Sequence, residues 1–272
     1  MKPAVTFKRS GPWHNAGALL SWFAVTLAVI AQITGGALPV YIGLIFFVLG
    51  LSHGAGDEQE DTLASFTLIH AIAYVLIGAA VAGLFLIEPL GGLALFLALS
   101  AWHFSRSDCR FDKVTRIAIA GLAVGGSALL RYSETATVLG FVAGEELPRN
   151  FLRFLALGGI VGGGFALYAF IKGLCGFGHA IVAGLSTAFL QPVLAVGLIF
   201  LIAHALPVQE RQIAAYGWRR VVRAVALPTA IATLGALALA VAVAQGLLAT
   251  QLAVALAFGM ATPHMLTERL ER

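Results

Sequence analysis

The sequence predicts an all-α fold: a polytopic bundle of about ten transmembrane helices. Three observations point there. Of 272 residues, 60% are hydrophobic and only 11% are charged, against roughly 25% charged in soluble domains. Mean hydropathy is +0.92. The basic residues, finally, sort to one side of the apolar runs. This composition excludes a soluble enzyme, a disordered tail and a disulfide-stapled secreted scaffold. It leaves no room for a separate soluble domain, so residues 1–272 are expected to form one integral membrane domain.

A bilayer core of ~30 Å takes ~20 apolar residues per helix. Apolar runs of suitable length occur at residues 15–34, 37–54, 63–87, 89–104, 115–131, 151–171, 174–190, 191–207, 221–244 and 247–266. The first follows Lys2, Lys8 and Arg9 but is too long for a signal-peptide core, so an uncleaved helix is expected. Residues 133–144 are weakly apolar and read as a surface or re-entrant helix, closed by Glu145, Glu146, Pro148 and Arg149.

With the N-terminus inside, the cytoplasmic segments hold Lys2, Lys8, Arg9, Arg106, Arg110, Lys113, Arg116, Lys172, Arg211, Arg219, Arg220, Arg223, Arg269 and Arg272. The outer segments hold only Arg131, Arg149 and Arg153. That asymmetry places both termini in the cytoplasm. It also accounts for the net charge of +4 without a nucleic-acid partner, since no basic run is interleaved with aromatics.

Glycines recur at helix-packing spacing in Gly50/Gly54, Gly121/Gly125, Gly158/Gly162 and Gly159/Gly163. Such pairs let helices approach closely in lipid. The glycine-rich stretch Gly158–Gly164 follows no strand and lacks a Gly-Lys-Ser/Thr ending, which excludes a phosphate loop. Cys109 and Cys175 stand alone and read as inert thiols.

The chemistry is carried by histidine. There are seven: His14, His53, His70, His103, His179, His204 and His264. On the map of spans, His53, His103, His204 and His264 each fall at the cytoplasmic end of a different helix. His179 lies about a turn in from that surface, and His70 is ~12 Å deep at 1.5 Å per residue. His14 belongs to the polar leader. Ionisable groups inside a bilayer cost a few kcal/mol each and mark function by default. One histidine near a helix end can simply meet interfacial water, whereas four at matching depth suggest a metal cage. Asp57 follows His53 by four residues and Asp108 follows His103 by five. Carboxylates so placed orient metal-bound imidazoles, whereas Glu58, Glu60 and Asp61 read as a solvated loop.

These motifs resemble the Brp/Blh family of membrane-embedded bacterial and archaeal β-carotene 15,15′-dioxygenases. His53-Gly54-Ala55-Gly56-Asp57 is similar to the family's H-G-A-x-D, and Ser100-Ala101-Trp102-His103-Phe104 with Asp108 to its S-A-W-H-F and acid. Thr262-Pro263-His264-Met265 is similar to its terminal P-H element. The resemblance implies a non-haem Fe(II) cofactor and cleavage of the central double bond of β-carotene, or a related carotenoid, by O2 to give retinal. It carries over His53, His103 and His204 as iron ligands.

The chain departs from the family at its paired histidines. His204 matches the first, Val208 stands where the second is expected, and Pro207 replaces an arginine. Glu58 follows the first motif where histidine is common. Three outcomes stay open. His264, or else His70 or His179, completes the site; three ligands suffice; or the chain has another substrate or none.

If the resemblance holds, Asp57 and Asp108 orient the rings. Phe46, Phe47, Tyr74, Phe96, Trp102, Phe104 and Phe200 are candidates to line the polyene's path, which lies in the membrane lipid. The implied location is a bacterial or archaeal cell (inner) membrane, with a functional link to a retinal-binding rhodopsin. The alternatives are a non-catalytic carotenoid- or retinal-binding membrane protein, or a transporter. A transporter site sits near the midplane, often between internal repeats. Here the polar residues crowd one side and no repeat is visible.

Overall fold

The computed structural model describes residues 12–57, 68–106 and 110–267. Every regular element among the described residues is helical. There are eleven: α1 (Pro12–Thr34), α2 (Leu38–Asp57), α3 (Leu68–Ile87), α4 (Pro89–Phe104), α5 (Lys113–Leu130), α6 (Tyr132–Ala143), α7 (Arg149–Lys172), α8 (Phe177–Phe189), α9 (Pro192–Tyr216), α10 (Trp218–Ala244) and α11 (Thr250–Thr267). Five of them (α1, α5, α7, α9 and α10) have segments long and apolar enough to cross a membrane, and α2, α3, α4, α8 and α11 supply shorter apolar segments. The protein is an all-α membrane helix bundle, and each apolar run expected from the sequence contains one helix. The weakly apolar stretch forms α6.

Helix ends follow local chemistry. Pro89 and Pro192 open α4 and α9, where a missing backbone donor costs nothing. Gln191 caps α9: its side-chain oxygen accepts from the backbone N–H of Val193 at 2.8 Å and of Leu194 at 3.1 Å. Its own N–H donates to Gln32 of α1 at 2.7 Å. α6 and α7 stop at Gly144 and Gly173, whose φ values of 77° and 59° suit glycine.

α9 is the central post. Of its apolar stretch, 78% is buried inside the protein, whereas α10 has no buried residue at all. α9 packs most extensively on α2 and also meets α1, α5, α6, α8 and α10. The main core joins Phe46, Phe104, Leu122, Leu194, Leu198, Ile199 and Leu201. A smaller cluster around Phe85, Leu93, Ala143 and Ala255 ties α3, α4, α6 and α11.

Lipid gives no hydrophobic drive between helices, so close backbone approach has to supply the packing. Glycines provide it at three crossings. On α5 and α7, a Cβ on Gly159 would lie 2.5 Å from the Gly125 carbonyl oxygen, and one on Gly162 would lie 2.6 Å from the Leu122 nitrogen. Gly43 of α2 meets the α9 backbone at Val193, and Gly78 of α3 meets Gly259 of α11. Of the expected glycines, Gly121, Gly125, Gly159 and Gly162 are used this way, while Gly158 and Gly163 face open space. The Gly43 and Gly78 crossings carry no spacing signal, because each helix contributes one glycine at the contact.

One expected boundary needs correction. Span eight was expected to end at Pro207, but α9 continues to Tyr216. The helix passes the proline by widening into a π-turn at Leu201–Ala205, where the Leu206 N–H donates to the carbonyl of Leu201. His204 therefore sits inside a long helix rather than at its end.

Candidate metal centre

Three helices deliver one imidazole each. His53 stands in the last turns of α2, His103 is the penultimate residue of α4, and His204 lies in the π-turn of α9. All three are buried, with 3%, 2% and 1% of their surface exposed. The Nε2 of His204 is 2.9 Å from that of His53 and 3.0 Å from that of His103. One ligand atom from each ring lies within 4.8 Å of the other two.

The tautomer of His53 is set by its neighbourhood. Its Nδ1 lies 2.5 Å from the Gly50 carbonyl oxygen, one turn back on α2. A carbonyl only accepts, so Nδ1 carries the proton and Nε2 presents a lone pair toward His204. A single proton on His204 Nε2 cannot point linearly at both neighbours. A shared cation resolves the crowding. Both separations are short enough for one cation to sit among the rings, and neutral imidazole suits iron, zinc, copper and nickel. The three buried histidines therefore form a site able to hold a metal ion.

Aromatic rings close over the triad. Phe104 lies with its centroid 4.6 Å from that of His204, and Phe200 lies 5.2 Å from His53 edge-on. Phe104 and Phe200 are 6.2 Å apart, and Phe47 packs against Phe200 at 5.3 Å. Gly50 makes room for this wall, because a Cβ there would run into the Phe200 ring. The result is a candidate cation site with apolar sides, where electrostatic interactions are strong.

The other sequence candidates distribute as follows. Phe104 and Phe200 adjoin the triad, Phe47 packs on Phe200, and Phe46 shares the main core with Phe104. Phe96 stacks on Phe258 of α11 at 3.9 Å, and the Tyr74 hydroxyl donates to the Met260 carbonyl at 2.9 Å. Trp102 has the Arg106 guanidinium 5.5 Å from its ring. His179 stands apart from the triad, its ring 4.7 Å from Phe111. Val208 is fully buried one turn beyond His204. Asp108 and Cys109 fall outside the described residues, as do the side chains of His14, Asp57, His70 and His264. The neighbour of His264 is informative: the Ser100 hydroxyl, one turn before His103, reaches the Met265 sulfur at 3.9 Å. That contact brings the end of α11 against α4.

Sequence reasoning missed three contributors. Gly50 was legible only as a packing glycine, not as the acceptor that orients His53. Pro207 reads as a helix end rather than as a residue that follows a π-turn inside a longer helix. Arg110, whose guanidinium donates to the Pro207 carbonyl and lies 3.7 Å from Glu210, reads as a topology marker.

A family model described as beta-carotene 15,15′-dioxygenase matches residues 44–270, which include all three histidines. No curated protein and no solved structure matches the chain.

Proposed function

Because the chain belongs to the β-carotene 15,15′-dioxygenase family, we propose that it cleaves the central double bond of β-carotene with O2 at an Fe(II) held by His53, His103 and His204. The reaction adds both atoms of one O2 across one C=C bond and yields two retinals, so it consumes no reductant. The observation that carries this is the convergence of three buried Nε2 atoms from three helices. Fe(II), when bound, supplies the electrons that let O2 react with a closed-shell polyene.

The chain's own residues do the rest. The Gly50 carbonyl holds His53 in the tautomer that turns its lone pair inward. Phe104 and Phe200 keep water away and offer flat faces against which an apolar polyene packs. The substrate arrives sideways from the bilayer, since it is already dissolved there. We assign His264 as the further ligand, because Met265 beside it touches Ser100, one turn from His103. Asp57 and Asp108 are assigned as carboxylates that orient the rings. The location is the inner membrane of a bacterial or archaeal cell, where the product would serve a retinal-binding rhodopsin.

Expression in a β-carotene-producing cell tests the proposal: bleaching with extractable retinal supports it. Retained β-carotene beside well-expressed, iron-loaded protein overturns it.

A further inference from the structure

Three prolines lie inside helices, and they are not accommodated alike. Pro228 of α10 and Pro263 of α11 sit in segments that stay α-helical. Pro207 of α9 is preceded by the π-turn Leu201–Ala205, which contains His204. Packing goes with the difference, as it does at a second π-turn, Leu122–Gly126 of α5, which crosses α7 closely and contains no proline. Pro228 is exposed on a helix with no buried residue. Pro263 lies four residues from the end of its helix, where a bend displaces only one turn. Pro207 is buried in the central helix, which is packed on several sides. A proline donates no backbone hydrogen bond, and its ring crowds the carbonyl four residues back, here Ala203. A helix that cannot bend relieves the crowding by widening, and single π-turns of this kind recur at functional sites.

We infer that Pro207 is a positioning residue for the metal centre: it maintains the π-turn that sets the His204 ring between those of His53 and His103. A π-turn accommodates one residue more than an α-turn, so closing it swings the preceding residues by about 100° relative to the following ones. A swing of that size carries His204 Nε2 away from neighbours now 2.9 and 3.0 Å distant. The turn is fastened from outside as well. Arg110 donates to the Pro207 carbonyl and lies 3.7 Å from Glu210 one turn on, tying the segment after His103 to the helix that bears His204.

The inference rests on the triad holding a metal, and the test separates the two. Pro207→Ala, Pro228→Ala and wild-type protein are purified without metal and titrated with Co(II), which reports coordination through its visible spectrum. Thermal unfolding of the metal-free proteins is recorded in parallel. Alanine is the better helix former, so Pro207→Ala is expected to unfold at the wild-type temperature or above. Its Co(II) affinity is expected to fall about 10- to 100-fold, with an altered spectrum. Pro228→Ala should match wild type in both. Wild-type affinity and spectrum in Pro207→Ala overturn the inference and leave the triad standing. A weaker affinity accompanied by a lower unfolding temperature also overturns it, since the proline then serves general stability. Wild-type protein that takes up no Co(II) defeats the triad and the inference together.

Discussion

His204 Nε2 lies 2.9 Å from His53 Nε2, although 151 residues separate the two rings along the chain. The packing of α9 against α2 brings them together, and Gly43 gives its surface to the α9 backbone at that crossing. Helix contact and ligand geometry are therefore one problem in this protein.

Removing any of the three rings should empty the site. Purified wild-type protein is expected to hold about one iron per chain, and His53→Ala, His103→Ala and His204→Ala to hold at least about tenfold less at equal iron activity. Metal analysis of the purified proteins decides it. Unchanged iron in all three defeats the assignment.

Retinal should appear in cells that make β-carotene together with this protein, and vanish with His204→Ala. Extraction and chromatography read the outcome. A diverged substrate is the conclusion if well-expressed wild-type protein leaves β-carotene intact.

Gly50→Ala should separate binding of metal from turnover. The new methyl displaces the Phe200 ring, while the carbonyl that orients His53 remains. Turnover is expected to drop about 10- to 100-fold, the range for a small misplacement near a reacting centre, with iron content retained. A smaller residue at position 200 should restore part of the loss, so Gly50→Ala with Phe200→Leu is expected to exceed Gly50→Ala alone.

Crossings on glycine should be intolerant of side chains where backbones touch. Gly159→Ala places a Cβ 2.5 Å from the Gly125 carbonyl oxygen, and a cost of about 1–3 kcal/mol is expected. Gly163→Ala, four residues on and facing open space, should be neutral or slightly stabilising in the same helix. Unfolding in detergent compares the two.

Much of this was legible in the sequence because hydropathy and depth are one-dimensional properties. Counting residues from a helix end places His53, His103 and His204 near one membrane surface, and the structure joins them. The same counting puts His179 close to that level, yet its ring rests on Phe111 instead. Depth gives height, not the direction in which a residue faces, and direction depends on tertiary packing. The π-turn was hidden for a related reason. A proline terminates a helix in local terms, whereas a π-turn goes with tertiary packing, as it does again at Leu122–Gly126 of α5. The Gly43 and Gly78 contacts were equally silent, since each pairs with a helix far away in the chain.

The donors of the triad are spread widely along the polypeptide, His103 and His204 alone being 101 positions apart. A nascent chain still inserting its eighth apolar segment thus has two imidazoles and no place for a third. The three-histidine cluster is complete only once α9 docks against α2, and a chain released by the ribosome before that point carries no such cluster.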